Sequence, residues 1–243
     1  EIARSGRPGP VLVDITKDVT ANTTDYEKQV PVFNKVGQEI SEEELEKAVT
    51  MIQEAKKPYV FVGGGAVASE AHKELTEFVH KIHAPVTDSL MGKGAFSGED
   101  PLYTGMLGMH GTKTSNFGVT ECDLLIVVGA RFSDRVTGNA SKFASNEKIL
   151  QIYINPAEIN KNIKTHASIV GDIKAVLTKL NQKLPQLGNK EWVDHIEELK
   201  EKYDSIINRN LYTKYKTAPT EEEKEKARQE YLDRKGIHSS FRW

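Results

Sequence analysis

Residues 123–138 read DLLIVVGARFSDRVTG, and this stretch decides the fold class. The apolar run Leu124–Val128 is too short for an ordinary helix. It stops at Gly129 and releases a polar stretch holding Arg131, Asp134 and Arg135. A buried strand that ends in glycine and is followed by cations is the layout of a nucleotide-phosphate site in an open α/β sheet. The glycine lets a ligand approach the backbone, and arginine can fork onto phosphate oxygens.

Outward from this strand, strands and helices alternate. On the N-terminal side, Gly6–Pro10 reads as a turn, Val11–Ile15 as a short strand, and 16–38 as a polar linker without period. Ser41 and Glu44 form a capping box, and Leu45, Ala48, Val49, Ile52 and Ala55 repeat at helical spacing, so a helix is expected over 42–56. Pro58 breaks it. Tyr59–Val62 reads as a strand ending in Gly63-Gly64-Gly65, followed by a helix with Ala71, Leu75, Phe78, Val79 and Ile82 on one face. Pro85–Thr87 is a brief strand, 89–111 a Gly-rich loop, and 112–120 a helix.

Beyond the opening stretch, strands are expected at 149–154 and 168–170, with a turn or short helix at Pro156. Ile173, Val176, Leu177 and Leu180 mark a helix after the last strand. This alternation predicts an α/β fold with a doubly wound parallel sheet and helices on both faces. From Asn189 the character changes. Trp192, Ile196, Leu199, Tyr203 and Ile206 form one helical face, and 221–235 is a dense charged run, helical but solvated. The end of the chain reads as a connector, not a second core.

The chain has 243 residues, 38% hydrophobic and 28% charged, enough to build a core and too apolar for global disorder. A net charge of -2 gives no basic field for nucleic acid and no polybasic membrane patch. The single cysteine, Cys122, excludes an internal disulfide and reads as a packing thiol. No apolar run is long enough to span a bilayer and no signal peptide is visible, so a cytoplasmic protein is expected. The opening residues EIARSGRPGPVLVDI read as mid-domain, a piece of a longer polypeptide.

Ligands of such sheets bind at the carboxyl ends of the strands. Four strand ends carry suitable residues: Gly63–Gly65; Ser89, Leu90 and Met91; Leu107, Gly108, Met109 and His110; and Gly129–Arg135. Methionine in a Gly-rich loop points to a flat aromatic ligand, because thioethers pack on rings. Arg7 is a further phosphate partner, or a solvated turn arginine. His72, His80 and His83 read as surface or packing residues. There is no HExxH, no GxSxG, no Walker A and no carboxylate pair spaced for glycosidase work. The residues point to a protein that binds phosphates and rings, with no catalytic or metal-ligating set of its own.

SGRPGPVLVDI (5–15), GMLGMHG (105–111), DLLIVVGARFSDRVTG and INPAEINKN (154–162), in that order, resemble the large catalytic subunits of acetolactate (acetohydroxyacid) synthases. GRPGPVLVDI marks the wider thiamine-diphosphate enzyme superfamily; GMHG followed by GARFSDRVTG is much more specific to acetolactate synthases. The resemblance covers residues 1 to about 210. It implies three α/β domains, of which this chain holds the end of a thiamine-diphosphate (pyrimidine) domain at 1–19 and a linker at 20–38. A central FAD-binding domain with a Rossmann-like sheet follows at 39–184, and a helical connector at 185–243. It implies FAD contacts from Arg7, Gly63, Gly64, Gly65, Ser89, Leu90, Met91, Leu107, Gly108, Met109, His110, Gly129, Ala130, Arg131, Arg135, Val136, Asp172 and Ile173. Met109, Asp134 and Arg135 would lie near the substrate channel.

The family condenses two pyruvates, or pyruvate and 2-oxobutyrate, with loss of CO2, in branched-chain amino-acid synthesis. The resemblance further implies thiamine diphosphate and magnesium bound outside this chain, 2-oxo acid substrates, a homodimer or homotetramer of catalytic subunits, and a small regulatory subunit. The glutamate that activates thiamine and the GDG…N motif are absent here, so the chain alone is expected to be inactive. Three departures stand out. Ser133-Asp134 replaces Asp-Asp. Tyr153 and Asn155 stand where an acid commonly holds the FAD ribose. Gly236–Trp243 does not match the expected continuation. The alternatives are a stand-alone flavin or nucleotide module, or part of another thiamine-diphosphate enzyme such as glyoxylate carboligase or pyruvate oxidase.

Overall fold

The computed structural model describes residues 3, 6–25, 27, 39–141, 143 and 147–237. Among these, six strands form one parallel sheet: β1 (Pro58–Val62), β2 (Val86–Asp88), β3 (Tyr103–Met106), β4 (Leu124–Val128), β5 (Lys148–Tyr153) and β6 (Ala167–Val170). Their order across the sheet is β3-β2-β1-β4-β5-β6, and every pairing is parallel. The chain therefore builds outward from β1 in one direction, then returns to lay β4 on its other side. This reversal opens a crevice at the carboxyl ends of β1 and β4, the place where doubly wound sheets take their ligands.

Helices cover both faces. A short α1 (Lys17–Ala21) precedes the domain. It is followed by α2 (Glu42–Glu54), α3 (Gly64–Ala68), α4 (His72–Ile82), α5 (Lys113–Glu121), α6 (Asp134–Thr137), α7 (Ile173–Lys183), α8 (Lys190–Thr217) and α9 (Glu221–Arg234). Ser41 caps α2 by accepting from Glu44 N, as the capping box predicts. Alternation in β1 divides the core: Val60 and Val62 face a large cluster built with α2, α4 and α7. Tyr59 and Phe61 face a smaller one closed by Val119 and Cys122, from α5 and its C-cap, and by Trp192 and Ile196 from α8. Trp192 fixes α8 to the sheet: its indole N–H donates to the Pro58 carbonyl at 3.0 Å and its ring meets Tyr59 edge-on.

The amino ends of β1 and β4 are tied by one carboxylate. Asp123 accepts from Lys56 N at 2.7 Å and Lys57 N at 2.9 Å. With that end fixed, the carboxyl ends present their loops in a defined relation.

Four expectations are corrected. Val11–Ile15 is not a strand; it pairs with nothing among the described residues, and Leu12 is 92% exposed. The loop expected over 89–111 contains β3, an edge strand with the partly covered residues Tyr103, Gly105 and Met106. The helix after the Gly63–Gly65 turn is two helices, because Glu70 takes a positive φ between α3 and α4. The linker over 16–38 contains α1, and much of the rest of it lies outside the described residues, as do residues 238–243. The charged run at 221–235 is helical as expected, but it folds back along α8, with Arg234 paired to Asp204 at 2.7 Å.

Candidate functional site

The carboxyl rim is held by backbone bonds that continue past the strand ends. Gly63 N donates to Val128 O, Gly65 N to Gly129 O, Gly129 N to Ile152 O, and Ser89 N to Val62 O, all at 2.8–2.9 Å. The two glycine turns at the crevice are thereby locked together. Gly129 has φ +65°, and a Cβ on Gly65 would stand 2.8 Å from Gly129 Cα. These glycines let two loops pack backbone on backbone, a nearer cause than ligand approach. Gly64 differs: a Cβ there would meet the Met91 side chain at 3.1 Å rather than the Gly129 turn.

Next to them, Ser89 accepts from Gly92 N and so starts a single 3-10 turn. That turn lifts Leu90 and Met91 into solvent, Met91 with 74% of its surface free. The loop after β3 does not run on alone. Gly108 takes φ +98°, where a Cβ would lie 2.6 Å from Arg135 O, and Met109 N donates to Arg135 O at 3.1 Å. The Asn116 amide brackets Gly108, accepting from its N–H and donating to its carbonyl. Leu107 is buried as the anchor, while Met109 and His110 face outward, Met109 69% exposed. The structure thus brings Met109 beside Arg135, although β3 and β4 are separated in the sheet. Asp134 accepts from Arg135 N at 2.9 Å, and both side chains are exposed. Val136 is half-buried.

Arg131 is exposed between two buried neighbours, Ala130 and Phe132. Sequence reasoning missed what stands opposite it. Lys161 donates to Glu158 at 2.8 Å, and this bond, with the positive fields of Lys161, Arg131 and Arg7, holds the Glu158 carboxyl below the ordinary range. Arg7 therefore lies in the same electrostatic neighbourhood as Arg131. The signal in the sequence is the Glu of INPAEINKN, one short turn past β5.

Asp172 and Ile173 lie at the far end of the rim. Asp172 is the N-cap of α7, accepting from Ala175 N at 3.1 Å, and Ile173 is buried, so only its main chain is open to a ligand. Below the rim, buried Asp88 accepts from the Tyr103 hydroxyl at 3.0 Å and lies 3.4 Å from Lys93 Nζ. Burial pushes its carboxyl above the ordinary value. Gln151, fully buried in β5, donates to Ala130 O at 3.1 Å, while its Oε1 has no partner among the described residues. An unmet buried oxygen costs about 1–3 kcal/mol. Among the described residues no group of three or more His, Cys, Asp and Glu side chains is placed to hold a metal ion. No described helix is long and apolar enough to cross a membrane.

A parallel sheet wound 3-2-1-4-5-6, with cations and exposed thioethers at its switch point, defines a doubly wound α/β domain. Residues 45–180 match the family model described as thiamine pyrophosphate enzyme, central domain, and the chain belongs to that family. It is 44% identical over 205 residues to the acetolactate synthase isozyme 2 large subunit of Escherichia coli, across 84% of this chain and 36% of that protein. A large subunit described as a probable acetolactate synthase in Methanocaldococcus jannaschii is 44% identical over 212 residues, across 82% and 35%. The chain thus spans about a third of the length of these relatives. A solved structure given as a thiamin diphosphate-dependent enzyme from Mycobacterium smegmatis superposes with a TM-score of 0.54 at 27% identity, covering 65% of this chain and 30% of that one.

Proposed function

We propose that this chain is the FAD-binding central part of an acetolactate synthase large subunit. The observation that carries the reading is the convergence at the switch point. Two locked glycine turns, Arg131 and Arg7 around Glu158, and the exposed side chains of Met91 and Met109 share one rim. Cations suit a diphosphate and thioethers suit a flat ring, so this donor set fits a dinucleotide with an aromatic head.

In this reading Arg7 and Arg131 hold the diphosphate of FAD, with Gly63–Gly65, Ser89, Leu90, Gly129 and Ala130 lining its path. Met91, Leu107, Gly108, Met109 and His110 cover the ring, and Val136, Asp172 and Ile173 close the ends. Glu158, five residues after Tyr153, is an acceptor for ribose hydroxyls. Arg135 and Asp134, fixed beside Met109, face the channel, where the guanidinium attracts the carboxylate of a 2-oxo acid. When bound, FAD supplies a planar scaffold, while thiamine diphosphate with magnesium, held by residues outside this chain, supplies the carbon chemistry. The whole enzyme joins two pyruvates into 2-acetolactate with release of CO2, or pyruvate and 2-oxobutyrate into 2-aceto-2-hydroxybutyrate.

The exposed apolar segment Val11–Ile15 supports assigning residues 1–19 to a neighbouring domain whose sheet covers it, with 20–38 as linker, 39–184 as the central domain and 185–243 as connector. The relatives' designation as large subunits supports a smaller regulatory partner. A homodimer or homotetramer and a cytoplasmic location complete the reading. The test is a flavin titration of the 243-residue chain. FAD fluorescence should quench on binding, Arg131→Ala should weaken binding by about tenfold or more, and neither chain should form acetolactate. Unchanged affinity in Arg131→Ala counts against the site.

A further inference from the structure

We infer that Gln151 and Asn162 are positioning residues that hold the Arg131 turn in a single geometry by clamping the carbonyls on its two sides. The inference rests on the reading of Arg131 as a phosphate partner. Past Gly129, whose N–H makes the last ladder bond to Ile152 O, the chain leaves the sheet. Three successive carbonyls, at 130, 131 and 132, then have no strand to accept from. Each is met in another way. Gln151 Nε2 donates to Ala130 O at 3.1 Å, Ser133 N donates to Arg131 O at 2.9 Å, and Asn162 Nδ2 donates to Phe132 O at 2.6 Å. Side-chain amides from β5 and from the loop beyond it thus act in place of a seventh strand.

The Gln151 amide is oriented by its partner. A carbonyl oxygen only accepts, so the NH2 group must face Ala130, and Oε1 is the atom left without a bond among the described residues. An apolar side chain in this position in the middle of β5, between Leu150 and Ile152, would bury no unmet side-chain oxygen, but it would leave Ala130 O without its donor. What glutamine adds is the donor to Ala130. With Ala130 and Phe132 both buried and both carbonyls held, the Cα–Cβ direction of Arg131 is set by the fold, and only its outer torsions remain to be ordered by a ligand.

The test is a double-mutant cycle on the 243-residue chain, read by FAD fluorescence quenching and by the visible circular dichroism of bound flavin. Gln151→Leu and Asn162→Ala should each weaken FAD binding by about threefold to tenfold, and neither should weaken it further in an Arg131→Ala background. Gln151→Leu should change the melting temperature little, because the unmet Oε1 it removes is offset by the donor that Ala130 O loses; Asn162→Ala repeats the test at a second position. Single variants that bind FAD as the parent does, while Arg131→Ala binds weakly, overturn the clamp and leave the cofactor reading standing. Losses that add in full to that of Arg131→Ala also overturn it, since they would act independently of the arginine. An Arg131→Ala chain with parental affinity overturns the cofactor reading and the clamp together.

Discussion

VLVDI at 11–15 and LLIVV at 124–128 are both five-residue apolar runs, and their fates are opposite. The second is β4, buried at every position and bonded to β1 on one side and β5 on the other. The first is exposed and unpaired among the described residues. Apolar composition gives a segment the capacity to be a strand; partners make it one. In β4 the partners are β1 and β5, brought alongside by the segments that hold α3–α5 and α6. Val11–Ile15 pairs with neither edge of the sheet among the described residues, and this difference separates β4 from an apolar segment left uncovered.

The contrast can be broken by substitution. Ile126→Ala, in the middle of β4 with no exposed surface, should cost about 2–5 kcal/mol in urea unfolding. Next in size is the helix that seals the smaller core. A Cβ on Gly118 would collide with the Tyr59 ring, so Gly118→Ala should destabilise by about 1–3 kcal/mol, outweighing alanine's better helix propensity of about 1 kcal/mol. A smaller effect belongs to Asp88. Its folded carboxyl titrates above its unfolded value, so its favourable contribution is complete below the unfolded value and is lost as pH rises through the folded one. Asp88→Asn should therefore unfold at higher urea than the parent at neutral pH, with the gap narrowing toward about pH 4. Smallest of all, Leu12→Ser should shift stability by less than about 0.5 kcal/mol. A large loss there would mean that Val11–Ile15 is packed against this domain after all.

Much of the architecture was legible because its signals are local. The capping box at Ser41, Pro58, the glycines after β1 and β4, and the periodicity of α7 each act within a few residues. What escaped depends on distant contacts. β3 is four residues at an edge, with a glycine inside, and only its pairing with β2 makes it a strand. The α3–α4 break lies in one backbone angle at Glu70. Around the site, the rim residues could be placed from strand ends, but the reason for their glycines could not, since Gly65 and Gly129 are 64 positions apart by sequence number and touch only in the fold. Glu158 and Gln151 were overlooked for the same reason: although Glu158 lies inside INPAEINKN, each matters through a partner on another element.

Cys122, the one thiol in the chain, lies under α5 and α8, with its Sγ–H directed at Val119 O. Burial first, then the charges of Glu147 and Asp123, push its ionisation well above the ordinary thiol range. A thiol so placed is silent to alkylating reagents until that face parts from the sheet. Its labelling rate is a native clock for one side of the domain, and comparison with global unfolding would reveal whether the thin cover opens by itself.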